Sequence, residues 1–268
     1  MKDILEEIVA HKRMELGQMK AALSERELHR QVERDIDRCP VLPSLSKSLA
    51  EKEVGIIAEF KRRSPSHGWI KQDGDPRQIT LGYEKSGAAG VSILTDTAYF
   101  GGTDADIVAA REAGLQLPVL YKNFVVDEYQ LFQARHCGAS VVLLIAACLP
   151  MDECRTLLRM AHELGLEVLL EMHSERETQY ADLGPDLCGI NNRNLGTLST
   201  TVENSFRLAS LLPQDAICVS ESGISRPETV ASLRLAGFRG FLIGENFMKA
   251  SDPAAALNTF INETTKQL

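Results

Sequence analysis

The chain has 268 residues, 44% of them hydrophobic and 25% charged, with 37 acidic against 29 basic side chains and a net charge of -8. That length suits either one large α/β barrel or two small domains. No run approaches the roughly 18–20 apolar residues of a membrane span, and no basic face offsets the negative balance, which argues against general nucleic-acid affinity. An anionic ligand therefore needs a local positive site.

The opening stretch, MKDILEEIVAHKR, is charged and helical in pattern, unlike a secretory signal. Residues 1–45 read as a helical extension with an apolar stripe at Ile4, Ile8, Leu16 and Met19, ended by Pro40 and Pro43. From there to the C-terminus the pattern alternates. Apolar runs suited to strands occur at about 54–61, 90–95, 118–123, 140–146, 167–172, 187–191, 216–221 and 240–244. Helical patterns occupy about 75–87, 104–114, 127–137, 151–164, 174–183, 201–212, 226–237 and 252–265. Gly87, Gly114, Gly138, Gly165, Gly184 and Gly237 stand where helix C-caps belong, and Asp75-Pro76, Ser225-Arg226-Pro227 and Asp252-Pro253 where helices start. Strands apolar on both faces, each followed by a helix, imply a parallel sheet. Eight such units close most naturally as a (β/α)8 barrel. An open doubly wound sheet is the alternative, and the missing GxGxxG after the first strand weighs against it. The expectation is one domain over 1–268, with the extension at 1–45 and the barrel at 46–268.

Six cysteines (Cys39, Cys137, Cys148, Cys154, Cys188 and Cys218) show no CxxC pairing and read as small buried hydrophobes in a reducing cytoplasm. The histidines show no HExxH spacing, so no metal is expected. No clear apolar stripe marks a dimer face; a monomer or weak homodimer is expected.

In such barrels the chemistry lies at the C-terminal ends of the strands, and the unusual polar residues fall there. The first strand ends with Glu59, Lys61 and Ser64, and residues two apart on a strand share a face. Burying an ammonium is costly unless it is paired, and Glu59 is the nearest partner for Lys61. The third strand ends at Lys122, the fifth at Glu171, the sixth at Asn191 with Arg193 on the same face, the seventh at Glu221-Ser222-Gly223, and the eighth at Gly244-Glu245. Singly, each is a strand meeting water; together they converge on one rim. With Lys61 and Lys122 both there, mutual repulsion is expected to lower the pKa of one of them. Gly223 and Gly244 follow the last two strands, the usual barrel phosphate site, where backbone N–H groups and a helix N-terminus bind anions. Ser64, beside Arg62 and Arg63, closes that site from the first strand. Glu245 fits if its side chain turns away and its backbone N–H binds.

The segments IIAEFKRRSPS, SILTDTAYFGG, LLEMHSERE, GINNRNL, SESGIS and FLIGENFM, with a lysine closing the third strand, resemble in order the motifs of indole-3-glycerol phosphate synthase. The resemblance covers about residues 1–250 and includes a helical extension. One departure is Tyr121-Lys122-Asn123, where the family usually has Lys-Asp and this chain lacks the neighbouring negative charge. The resemblance implies closure of an indole ring on 1-(2-carboxyphenylamino)-1-deoxyribulose 5-phosphate with loss of carbon dioxide and water, without a cofactor. It implies Lys122 as the acid that protonates the ketone oxygen, and Glu171 or Glu59 as the carboxylate facing the charge on nitrogen. Lys61 would hold the departing carboxylate and then act with Glu59 or Glu171 in the dehydration. Asn191 and Ser222 would orient hydroxyls, with Arg193 and Glu221 steadying the rim. Phe100, Phe124 and Leu144 are expected to pack on the anthranilate ring. A sugar-phosphate isomerase on the same scaffold is the rival enzyme; a phosphosugar-binding protein without turnover is the rival of another class. No fused second enzyme is expected.

Overall fold

Eight short segments form the strands of the barrel: β1 (Ile56–Phe60), β2 (Gly90–Leu94), β3 (Val119–Lys122), β4 (Val141–Ile145), β5 (Glu167–Met172), β6 (Leu187–Asn191), β7 (Cys218–Glu221) and β8 (Phe238–Ile243). In the computed structural model, which describes residues 4–194 and 199–268, they pair in parallel in chain order and close into a barrel. Closure joins the first strand to the last, with Ile56 beside Phe241 and Ala58 beside Ile243. Leu195 of the GINNRNL motif and Met1–Asp3 lie outside the described residues.

Strand pleating sorts the side chains. Ile57, Leu120, Val141, Leu143, Ile145, Leu169, Leu187, Val219 and Leu242 form the cluster inside the barrel. Their neighbours, among them Ile56, Ala58, Tyr121, Leu144, Leu170 and Ile190, belong to the larger layer shared with the helices. The inward parity carries on past the apolar core to Glu59, Lys122, Glu171, Asn191 and Glu221, each of which ends in the cavity at the strands' C-terminal mouth.

Helices follow most strands: Pro76–Lys85, Asp104–Glu112, Glu128–Cys137, Met151–Glu163, Glu203–Ala209, Pro227–Leu235 and Pro253–Thr265. Asp75, Asp127 and Asp252 cap their helices by accepting first-turn N–H groups. Ser225 does not cap; Arg226 stands immediately before Pro227 and makes no side-chain cap. The expected helix at 174–183 is wound instead as a 3-10 segment, Glu175–Leu183, ended by Gly184 in the left-handed conformation. It buries only Ala181 fully, so no apolar stripe favours the wider α-helical turn.

The extension comprises α1 (Ile4–Ala22) and α2 (Glu25–Arg38), and a third helix, α3 (Leu45–Glu51), follows the prolines that had been expected to end it. Leu45 and Leu49 of α3 are fully buried in the interior cluster and plug the end of the barrel opposite the mouth. Gly90 and Gly240 make room there, since a β-carbon on Gly90 would lie 2.5 Å from Leu45 Cδ1 and one on Gly240 3.0 Å from Leu49 Cδ1. Glu167, at the start of β5, accepts from the backbone N–H of Leu45 (2.7 Å) and Ser46 (3.1 Å) and from the hydroxyls of Ser44 and Ser46. That carboxylate complements the positive end of α3. At the other end of the molecule, Lys12 of α1 is buried between Asp96 (2.8 Å) and Glu15 (2.6 Å). Asp96 in turn caps the short Thr97–Phe100 helix after β2 by accepting from the Tyr99 N–H.

Candidate active site

The mouth holds a cavity of about 450 Å3 whose lining includes Glu59, Lys61, Lys122, Glu171, Asn191, Arg193, Glu221, Ser222, Gly223, Gly244 and Glu245. Sequence reasoning had named all of these. Phe100 and Phe124 also line it, their ring centroids 6.1 Å apart and tilted by 36°, forming an aromatic wall.

Two named residues stand elsewhere. Leu144 points outward into the helix layer, and its neighbours Leu143 and Ile145 line the cavity instead, because β4 alternates with the opposite parity. Ser64 is buried outside the lining, its hydroxyl 3.4 Å from that of Ser66. Ser66 accepts a hydrogen bond from Arg193 Nη1 at 3.2 Å, and the lining residue from this loop is His67. Arg62 and Arg63 do not line it either: Arg62 makes a bidentate pair with Asp106 (2.7 and 2.8 Å), and Arg63 lies over the Trp69 ring.

The charges form two knots. Lys61 Nζ lies 2.8 Å from Glu59 Oε1. Lys122 Nζ lies 3.2 Å from Glu171 Oε2 and 2.5 Å from Glu221 Oε2. An ammonium held between two buried carboxylates cannot satisfy both as full charges without cost. Burial raises the Glu221 carboxyl to about 7, with Lys122 opposing and Glu171 adding to the rise. Glu171 goes the other way: burial disfavours its charge, but Lys122, His173 and a hydrogen bond from Asn191 outweigh it and hold it well below the usual carboxylate range. The two carboxylates are therefore unlike, one firmly ionised and one that trades a proton near neutrality. For Lys122, burial lowers the pKa, but the fields of Glu221, Glu171 and Glu59 outweigh that and raise it. The expected lowering by lysine–lysine repulsion does not fall on Lys122, because its nearest charges are carboxylates.

Asn123, where the family usually has aspartate, is buried and donates to Thr95 Oγ1 (2.8 Å) while accepting from the Phe124 N–H (2.9 Å). It braces the loop that carries Phe124. At the seventh and eighth strands, Ser222 and Gly223 are both left-handed, with φ of 68° and 75°. Gly244 precedes the short Glu245–Met248 helix. The Glu245 carboxylate is engaged by Lys249 Nζ and lies 3.4 Å from His67 Nε2, and all three line the cavity. The Lys249 ammonium thus offsets the carboxylate beside the strand-end glycines. His67, Lys249 and Thr200 had not been picked out from sequence; they come from loops, where no periodicity marks which way a side chain turns. Among the described residues, no group of three histidine, cysteine or acidic side chains is arranged to hold a metal ion.

The sequence matches the family model for indole-3-glycerol phosphate synthase over residues 5–260. It is 54% identical to the indole-3-glycerol phosphate synthase of Bacteroides thetaiotaomicron, across 97% of this chain and 98% of that protein. It is 43% identical to that of Acidithiobacillus ferrooxidans, across 96% and 98%. Among solved structures, 3-hexulose-6-phosphate synthase from Salmonella typhimurium superposes with a TM-score of 0.63 at 15% identity, covering 80% of this chain and all of that one. A mutant tryptophan synthase alpha-subunit from Pyrococcus furiosus gives 0.60 at 14%, covering 79% and 98%. At such identities these two speak for the barrel fold alone.

Proposed function

The chain belongs to the indole-3-glycerol phosphate synthase family, a family of decarboxylating lyases acting on a small phosphorylated substrate, and we propose that Lys122, clasped by Glu171 and Glu221, is the acid of its ring closure. The observation that carries this reading is the Lys122 ammonium in a cavity walled on another side by Phe100 and Phe124.

The anthranilate ring stacks against Phe100 and Phe124, its carboxylate held by Lys61. The ring carbon bearing that carboxylate attacks the ketone carbon, and Lys122 gives a proton to the ketone oxygen as it becomes a hydroxyl. The electron pair comes from the aniline nitrogen, which turns cationic; Glu171, firmly ionised, stabilises it. Loss of carbon dioxide returns the bonding pair to the ring. The new hydroxyl then leaves as water with a proton from Lys61, while a carboxylate, Glu59 or Glu171, removes the ring proton. Asn191 and Ser222 orient the sugar hydroxyls, and Arg193 and Glu221 hold the rim. The phosphate is received by the backbone at Gly223, Gly244 and Glu245, with Lys249 and His67 nearby. Ser64 supports this from behind Ser66.

The same reading places one catalytic domain in the cytoplasm, supported by cysteines without CxxC spacing, of which Cys137, Cys154, Cys188 and Cys218 are buried thiols. Among the described residues, no helix is long and apolar enough to cross a membrane. A monomer or weak dimer accords with exposed large hydrophobics scattered over separate elements, such as Val41, Phe206 and Leu235.

The test is a fluorescence assay of indole product with the unmodified protein and Lys122→Met. The variant should lose about 10²–10⁴-fold in kcat while still binding product. Turnover that survives the change would remove Lys122 from the acid's role.

A further inference from the structure

His173 stands one residue past β5, its side chain only 11% exposed, and the ring-closure steps do not use it. It does not line the cavity. Its Nε2 lies 3.1 Å from Glu171 Oε1, on the side of that carboxylate away from Lys122, and its Nδ1 lies 3.5 Å from Glu177 Oε2. Glu177 is itself fixed: Oε2 accepts the His173 backbone N–H at 2.6 Å and Oε1 accepts the Ser174 hydroxyl at 2.9 Å. The 3-10 winding of Glu175–Leu183 brings Glu177 back over the end of β5.

Resting on the ring-closure reading above, we propose that His173, as an imidazolium held by Glu177, is a positioning residue that fixes Glu171 in its ionised form and aims its other oxygen at Lys122. A lone imidazole beside one carboxylate could sit neutral or turn away; here each ring nitrogen lies within ion-pair range of a carboxylate, at 3.1 and 3.5 Å, though neither makes a well-aligned hydrogen bond, so it is charge pairing that holds the ring. Burial opposes the charge, but Glu171 and Glu177 outweigh it and raise the imidazole to about 10. The other groups facing it leave this balance intact. Asn204 donates to the His173 backbone carbonyl at 3.1 Å, and Arg207 is occupied with Asn204 and Glu175 at the periphery. Lys122 acts only across Glu171. The arrangement explains why two carboxylates touching the same lysine behave differently: Glu171 has a second cation and Glu221 has none, its Oε1 lacking any hydrogen-bond partner among the described residues.

The test combines a variant with a direct titration. In His173→Gln, loss of the cation should raise the Glu171 pKa and move the acid limb of the kcat profile upward by about one pH unit, with KM within about twofold because no substrate contact is lost. A role confined to packing would lower stability and leave the limb in place. The imidazole nitrogen resonances of the unmodified protein should report a His173 imidazolium through pH 8. A neutral ring at pH 7, or an unmoved limb in a folded variant, overturns the proposal. Should the variant not fold, the titration decides alone. Absence of product from the unmodified protein would instead sink the ring-closure reading, with the same titration still judging the imidazolium.

Discussion

A β-carbon built on Gly244 would sit 2.6 Å from Glu59 Oε1, and one on Gly189 2.6 Å from Glu221 Oε1, so each glycine leaves the space that a carboxylate of the cluster occupies. Gly244 has a φ of -123°, outside the left-handed region, so the contact with Glu59 dominates a substitution there. Gly244→Ala should displace Glu59 from Lys61, and because the added carbon also lies 2.9 Å from Glu59 Cβ the end of β1 must give way, lowering the unfolding midpoint as well. Misplacing a catalytic group by about 1 Å costs on the order of 10²-fold in rate, which steady-state kinetics would read. Glu221 makes a second residue-scale prediction. Its carboxyl is raised to about 7 by burial, with a further push from Glu171, so between the ordinary carboxyl range and neutrality the folded state holds a proton that the unfolded state has released. Its contribution to stability is full below the unfolded pKa and is lost as pH rises through 7. Glu221→Gln stays neutral throughout. Relative to the unmodified protein it should therefore gain up to about 3 kcal/mol between pH 4 and pH 8, measured by urea unfolding at both values.

Lys12 ties α1 to the mouth of the barrel through Asp96, which is fully buried and caps the helix ending at Phe100. Removing one partner of a buried pair strands the other charge, at a cost of about 3–5 kcal/mol. Lys12→Met should therefore lower stability by that order in denaturant titrations, and also raise KM, because the turn carrying Phe100 loses its anchor. The elements also show where sequence was informative. Charges on an otherwise apolar strand end announce which face they share, so Glu59 with Lys61 and the line of strand-end acids and bases were legible by parity. β4 gave no such mark. Val141–Ile145 is apolar on every residue, and in a sheet buried on both faces nothing local says whether Leu144 or its neighbours look inward. That choice is made by barrel closure. The α3 helix was obscured for a related reason: two prolines read as an ending, whereas Pro43 directly precedes the Ser44 cap of a new start.

At the scale of the whole molecule, a net charge of -8 surrounds a site built for an anionic substrate. Lys61, Lys122, Arg193 and Lys249 supply the local exception on the cavity wall. The closed barrel adds a constraint of its own. β1 pairs with β8 through Ile56–Phe241, Ile57–Leu242 and Ala58–Ile243, and β8 also carries the strand-end glycine beside Glu59. A chain ending at Gly237 would lack this strand and leave both β1 and β7 with unpaired backbone groups. It should lose the cooperative unfolding transition and aggregate, as light scattering and calorimetry would show. The same pairing sets the order of events on the ribosome. The strand that completes the first one is made after all the other barrel strands, so until it emerges the nascent chain carries an open sheet edge, and the cavity at the mouth cannot take shape before then.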